Sequence, residues 1–318
     1  MEERRIISIE KLGEISDYVY DLEVDGVNNF FGNDILVHNS AIFQCPNLVQ
    51  EHCDKVNKTF KTISKSIIKD VIKDIDKFIL DEVNPACQRE IAKRCFSEDS
   101  DRIEFKREAF SLHCAAFAKK KYFLHIVDKE GIQTDEFKYT GIEIKKNELP
   151  PKVKKLIREI YEDSCRKFWI ESQYNQRLRE IWEMFKTLDI NEISYYKGYN
   201  TARFAEGFLK MQTGTTLIAR AATYYNQLIT KLNLINKYSE IHIGDKIRVC
   251  YLLPNQFGIG VIGFPTKFPD ELVQYFSIDY ITMFQKMILK PLDSYCSLRK
   301  WKQFDPRNEP CNDIFGIQ

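Results

Sequence analysis

Two short runs hold reactive groups at spacings that chemistry can use. The first is Val37-His38-Asn39-Ser40. An asparagine carboxamide can attack its own peptide carbonyl, close a succinimide and break the chain on its C-terminal side. A neighbouring imidazole can donate a proton or hydrogen bond to that carbonyl, and a serine hydroxyl next in sequence can carry an ester. The second run is Lys119-Lys120-Lys121-Tyr122, downstream of Lys106-Arg107. Consecutive cations ahead of a strand can neutralise phosphates, and a tyrosine beside them can pack or hydrogen-bond. His-Asn-Ser also occurs in ordinary loops, and a lysine triplet is also an ordinary solvated surface, so context decides both.

The elements around these runs follow from periodicity. Ile6–Ile9, Tyr18–Val24, Asn29–Phe31 and Ile35–His38 read as short strands, punctuated by Asp25-Gly26 and Gly32-Asn33-Asp34. Such a piece is too small to bury its own core and needs a partner sheet. From Asn57 to Val83 apolar residues recur every three or four positions, which predicts a helix. Asn84-Pro85 ends it and opens a second helix to about Phe96. Ile103 to Val127 reads as two or three strands with Phe123–Val127 at their core, closed by a hairpin turn at Asp128–Gly131. Pro150-Pro151 opens about 35 helical residues to Leu188. Another helix is expected over Thr215–Leu232, short strands at Tyr251–Leu253 and Gly260–Gly263, and a last helix over 270–290. Gly141 marks a turn or a close backbone approach. His52, His113, His125 and His242 share no metal-ligand spacing and read as structural or surface residues.

Composition narrows the class. The chain has 318 residues, 44% hydrophobic and 29% charged, an ordinary globular mix of about two domains rather than a disordered or fibrous one. No apolar run reaches the ~18 residues of a membrane span, and the N-terminus has no signal-peptide core. Nine cysteines without a Cys-x-x-Cys pair point to reduced thiols in a cytoplasmic setting. The net charge of +1 conceals a division. Residues 1–39 carry three Lys/Arg against nine Asp/Glu, a net −6, and residues 40–318 carry a net +7, of which +5 falls within 102–155. Unequal charge between segments signals different tasks.

The run from Tyr18 to Ser40, VYDLEVDGVNNFFGNDILVHNS with its leading tyrosine, closely resembles the C-terminal splicing blocks of inteins. The resemblance covers nearly all of residues 5–40. It implies the small all-β fold shared with hedgehog autoprocessing domains. By position Asn39 matches the cyclising asparagine, His38 the penultimate histidine, Ser40 the first extein residue that accepts the transesterification, and Asp21 the block aspartate that coordinates the acyl transfers. Asn28 stands where many inteins have a histidine, which shifts proton transfer toward His38 or the partner. The N-terminal block with its nucleophile and Thr-x-x-His is not in the chain, which opens at Met1. The implied state is the C-terminal half of a split intein, completed by a second polypeptide. Its acidity makes a basic N-terminal half the expected partner.

From Ser40 onward the chain is similar to the C-terminal third of family B DNA polymerases, the replicases of T-even-type phages above all. Ser40-Ala41-Ile42-Phe43 continues the palm motif Asp-Thr-Asp-Ser, so splicing would rebuild that motif, with the metal-binding aspartates on the partner chain. Lys106-Arg107 and Lys119-Lys120-Lys121-Tyr122 resemble the palm strands with a Lys-Lys-Arg-Tyr element that meets primer phosphates. Lys121 replaces the usual arginine, keeping the charge and losing the bidentate fork. Tyr139–Glu143 and Pro150-Pro151 resemble the approach to the thumb, with Lys145, Lys146, Lys152, Lys154 and Lys155 as a basic path to duplex DNA. Arg220, Tyr224 and Asn226 match a thumb helix that contacts the primer strand, and Ile314-Phe315 in the tail resemble a peptide that binds a sliding clamp.

The expected fold is therefore α+β: an all-β intein segment at 1–39, the remainder of a palm at 40–148, a mainly helical thumb at 149–310 and a clamp-binding tail at 311–318. Splicing needs no cofactor. The assembled DNA-directed polymerase would need Mg²⁺ and deoxynucleoside triphosphates. The implied partners are an N-terminal polymerase fragment carrying the N-intein, primer-template DNA and a sliding clamp, in the cytoplasm and not at a membrane. The alternative is a non-covalent DNA-binding thumb subunit with an inactive intein remnant.

Overall fold

The computed structural model describes residues 29–32, 35–38, 45–95, 105–118, 120–145, 147–200 and 205–308, with backbone alone for the first two stretches and for 90–95. The strands expected at Ile6–Ile9 and Tyr18–Val24 lie outside these residues. So do Asp21, Asn39, Ser40, Lys119, Lys146, Ile314 and Phe315. The chain mixes α and β structure with small antiparallel sheets and divides into two units, Met1–Phe110 and Ser111–Gln318. Among the described residues no helix is long and apolar enough to cross a membrane.

The first unit holds a hairpin and a run of helices. Strands β1 (Asn29–Gly32) and β2 (Ile35–His38) pair antiparallel, Phe30 opposite Val37 and Phe31 opposite Leu36. Helix α1 (Pro46–Asp54) starts with a proline at its first turn, where the missing N–H costs nothing. It packs on α2 (Lys65–Phe78), whose Ser64 cap accepts from the Ile67 N–H at 3.3 Å. Val49 and Cys53 of α1 are buried, as are Ile67, Ile68, Val71 and Ile72 of α2, one face at helical spacing. His52 Nε2 meets Asp74 Oδ2 at 2.9 Å.

The predicted break at Asn84-Pro85 does not form. The helix continues from α2 through a widened π turn, Ile79–Val83, into α3 (Asn84–Cys95). A proline ring clashes with the carbonyl four residues back and leaves it without a donor. Here Asn84, just before the proline, donates five residues back to the Ile79 carbonyl, and the wider turn makes room for the ring. Pro291 is accommodated in the same way, with Lys290 N–H donating to the Gln285 carbonyl. Buried Asn84 also holds the Phe105 backbone, accepting from its N–H at 2.7 Å and donating to its carbonyl at 3.3 Å.

The second unit opens on a three-stranded sheet in the order β3 (Ala109–Ala118), β4 (Lys121–Lys129), β5 (Ile132–Thr140), its first strand beginning two residues before the unit division. The expected turn at Asp128–Gly131 forms. Glu130 and Gly131 both take left-handed backbone, at φ 50° and 84°, the geometry that matches strand twist in a two-residue hairpin. Phe123 pairs with Tyr139 and His125 with Phe137, and these rings face α4 (Pro151–Arg166) and α10 (Lys290–Arg299). The centroid of Phe123 lies 4.9 Å from that of Tyr161, which meets Tyr295 edge-on at 5.3 Å. The core thus runs without interruption across residue 148.

After α5 (Glu171–Phe185) and the short α6 (Ile190–Ile193) comes a second sheet, ordered β10 (Val261–Phe264), β9 (Lys246–Tyr251), β6 (Tyr195–Gly198). Between β6 and this sheet's return, β7 (Ala205–Gly207) and β8 (Lys210–Met211) form a small hairpin ahead of α7 (Leu217–Lys231). Helix α7 lies against β10, and Gly263 permits the approach: a Cβ there would sit 3.1 Å from the Ala221 backbone. The single helix expected over 270–290 is instead α8 (Asp270–Val273), a break, and α9 (Tyr280–Phe284), which continues through the π turn into α10. Residues of the break pair with the sheet, Leu253 N–H to the Ser277 carbonyl at 2.9 Å and Leu252 bridging Ile278, and Asp279 then caps α9. Three buried thiols of this unit, Cys165, Cys250 and Cys296, are pushed by burial to about 11, 12 and 11, which keeps them protonated.

Two histidines twelve residues apart meet on the first sheet, His113 from β3 and His125 from β4. His125 Nε2 lies 2.6 Å from Asp135 Oδ1, and its Nδ1 lies 3.3 Å from His113 Nδ1. A carboxylate only accepts, so Nε2 of His125 carries a proton toward Asp135. Burial, with repulsion from His125 and Arg299, lowers His113 to about 4. Its ordinary value is 6.5, so between about 6.5 and 4 the unfolded chain binds a proton that the folded chain does not. Stability from this group is complete above that window and is lost as pH falls through it. His113→Asn is expected to flatten the fall of the unfolding midpoint between pH ~7 and ~4.5; parallel curves for the two proteins would contradict this.

Candidate nucleic-acid interface

The first cationic cluster sits at the turn between β3 and β4. Lys120 and Lys121 are exposed, and neither forms an ion pair among the described residues. Tyr122, half-buried, stands opposite Thr140 of β5. Lys120 takes left-handed backbone at φ 60°. Gly141, directly after β5, explains how the turn is held. It has φ +61°, and a Cβ built on it would lie 2.0 Å from the Lys120 carbonyl oxygen and 3.3 Å from Lys121 Cγ. Gly141 therefore lets its own backbone press against the turn that presents the lysines. Gly141→Ala is expected to cost at least ~1–2 kcal/mol for the left-handed backbone alone, plus displacement of the turn. An unfolding free energy equal to that of the parent chain would refute this.

Lys106 and Arg107 belong to the first unit. Lys106 is exposed. The Arg107 fork is occupied by Asp76, with Nε to Oδ1 at 2.8 Å and Nη2 to Oδ2 at 3.2 Å. A bidentate pair of this kind ties the segment after α3 back to α2 and turns the guanidinium away from an incoming phosphate. In the second unit Lys152 is held by Glu192 at 2.7 Å, which draws that carboxyl below its ordinary range, whereas Lys145 and Lys155 are exposed.

The second cluster is one stripe of α7. Positions 220, 224, 227 and 231 fall within about 60° of helix circumference at 100° per residue. Arg220 and Lys231 are exposed and Tyr224 is half-buried. Arg220 has no ion pair among the described residues. The opposite face, with Ala221, Ala222, Tyr225, Leu228 and Ile229, is buried. Asn226 is off the stripe and has a structural task that its sequence position did not reveal. Its carboxamide donates to the Ile241 carbonyl at 2.8 Å and accepts from the Ile241 N–H at 2.9 Å, pinning the segment that leads into β9.

Sequence reasoning missed a third cluster, at the edge of the second sheet. Arg248 donates to the Tyr196 hydroxyl at 2.7 Å and lies 5.0 Å from that ring's centroid, with Lys246 at 5.1 Å. The register places Tyr196 opposite Arg248 and Gly198 opposite Lys246. The signal was the alternation Lys246-Ile247-Arg248, which sends both cations to one face of a strand.

Of residues 1–39, two stretches are described, by backbone alone. The β1–β2 hairpin brings His38 opposite Asn29, and His38 is the last residue of β2, immediately before Asn39 and Ser40 in the chain. The catalytic reading of Asn39, Ser40 and Asp21, the phosphate reading of Lys119 and the clamp reading of Ile314 and Phe315 concern residues outside those described. Among the described residues no group of three or more His, Cys, Asp or Glu side chains could hold a metal ion. Comparison with models of known protein families and with curated proteins gave no match for this chain.

Proposed function

We infer that the chain is the C-terminal half of a trans-splicing pair, an intein segment at 1–39 joined to the palm end and thumb of a family B-like DNA polymerase. The observation that carries this reading is the run from Tyr18 to Ser40, which matches the C-terminal intein blocks and ends in His38-Asn39-Ser40. A β hairpin that ends at His38 is in keeping with it.

In the proposed reaction the N-terminal partner's acyl group, first carried as a thioester or ester on the nucleophile of the N-terminal intein half, is attacked by the Ser40 hydroxyl. That nucleophile is displaced, stays on the N-terminal intein half and takes up the Ser40 proton, and the acyl group becomes an ester on Ser40. The Asn39 carboxamide nitrogen then attacks the Asn39 carbonyl, and the bond to the Ser40 nitrogen breaks. Residues 1–39 leave with a terminal succinimide. The freed Ser40 amine attacks the ester and converts it to an amide, so the number of peptide bonds joining the exteins is one at the end. His38 supplies a proton or hydrogen bond at the carbonyl under attack. The metal chemistry of nucleotide transfer belongs, on this reading, to the partner's aspartates, and no step of it is assigned to residues of this chain. The chain's own contribution is duplex binding through Lys120, Lys121, Tyr122, Arg220 and Tyr224, supported by the exposure of the two lysines and Arg220.

The reading is tested by primer extension. Neither half alone should extend a primer, and the mixture should. Extension that never appears on mixing, with both halves folded, would overturn it.

A further inference from the structure

The β7–β8 hairpin presents an aromatic ring to solvent beside the basic stripe of α7. Gly207 pairs with Lys210, so Phe208 and Leu209 form the two-residue tip. Phe208 is 45% exposed. The tip is not left loose: Gln227 of α7 accepts from the Leu209 N–H at 2.6 Å and donates to the Gly207 carbonyl at 3.2 Å. The Lys231 ammonium lies 4.1 Å from the centroid of the Phe208 ring. Next to them is a shallow cleft of about 350 Å³ lined by Phe208, Asn226, Gln227, Thr230, Lys231 and Glu240.

A single exposed apolar ring is ordinary on a protein surface; what sets this one apart is that its hairpin tip is bonded by a side chain of α7 and its ring is met by a cation. Here a glutamine bonds the tip's backbone with both ends of its carboxamide, which fixes the tip against α7. With Lys231 over one face and 45% of its surface still exposed, the Phe208 ring can stack a nucleobase on its other face while the cation meets the phosphate. The cleft adds hydrogen-bonding groups of both kinds, the Glu240 carboxylate as acceptor and the Lys231 ammonium as donor. A duplex would engage the cations but keeps its base faces stacked internally. We propose that Phe208, Lys231 and the adjoining cleft form a site for one unpaired nucleotide, its base on the Phe208 ring and its phosphate on Lys231. This rests on the nucleic-acid-binding reading above.

The test compares a single-stranded oligothymidylate with a blunt duplex, both binding to the full 318-residue chain. Phe208→Ala and Phe208→Leu are expected to weaken single-strand binding by roughly 5- to 150-fold, the range of one lost base–aromatic stack. Phe208→Trp restores it, and duplex affinity is unchanged in all three. Lys231→Ala lowers the salt dependence of single-strand binding by about one ion. If the parent chain binds both nucleic acids and Phe208→Ala binds the single strand as tightly as the parent, this proposal is overturned while the general reading survives. Equal losses on single strand and duplex also overturn it, since Phe208 would then contact paired DNA. If the parent chain binds neither, the general reading falls first.

Discussion

Asn39→Ala, mixed with its N-terminal partner, is expected to release no fragment of residues 1–39. Alanine has no nucleophile to close a succinimide, so the loss is complete rather than partial. Steps upstream of cyclisation do not use the Asn39 side chain. Ester transfer to Ser40 should therefore proceed, and a branched species should accumulate that runs anomalously on a denaturing gel and collapses on mild alkaline treatment. His38→Ala should behave differently. It removes assistance and not the nucleophile, so release slows by roughly 10²–10⁴-fold, the usual range for a positioned acid or base. Ser40→Ala should still release residues 1–39 but give no ligated product. Three substitutions at adjacent positions would thus give three distinct patterns. Undiminished release from Asn39→Ala would remove this residue from the mechanism.

The second large effect concerns the β3–β4 turn. Replacing Lys120 and Lys121 together by alanine is expected to lower the slope of log affinity against log salt by about two, since each phosphate contact contributes ~0.9. Near 0.1 M salt the same relation makes each contact worth roughly eightfold in affinity. The double variant should therefore bind primer-template DNA on the order of 50-fold more weakly, for all sequences alike. Lys267→Ala is the control, because Lys267 is exposed yet paired with Asp270 at 3.0 Å. It should change neither slope nor affinity. A double variant with an unaltered slope would show that the turn does not meet phosphate.

How far these sites could be read in advance depended on how local they are. The hairpin β1–β2, the turn at Glu130-Gly131 and helices α4, α5 and α7 are written in short-range signals, alternation, left-handed turn residues and apolar spacing, and they stand where expected. The role of Gly141 was legible as a close approach, though not its partner, because Lys120 lies in a separate turn, between β3 and β4. The helix through Pro85 was misjudged because a π turn has no signature of its own in sequence; it is visible only as the bond from Asn84 to Ile79. Strands β7 and β8 are three and two residues long, too short for any period, so the tip at Phe208 could not be found. The His113–His125–Asp135 chain and the Tyr196–Arg248 pair join residues from separate strands, and only register brings them together. Asn226 appeared as a candidate phosphate donor because an exposed helix asparagine and one that clamps a neighbouring backbone look alike in sequence.

The net charge gains meaning from this organisation. A near-neutral chain combines −6 on the segment proposed to depart with +7 on the part proposed to remain. The part proposed to remain is more basic than the whole chain, as a DNA-binding fragment should be.

Intact-mass spectrometry of the chain after incubation with its partner bears on the central claim most directly. The account predicts a peptide of residues 1–39 one water lighter than the free acid, the mark of a terminal succinimide, together with a single ligated polypeptide that begins with the partner's sequence and continues from Ser40 to Gln318. A chain that keeps its full mass in an active complex with the partner would contradict splicing, and would leave residues 1–39 as an inert appendage of a DNA-binding subunit.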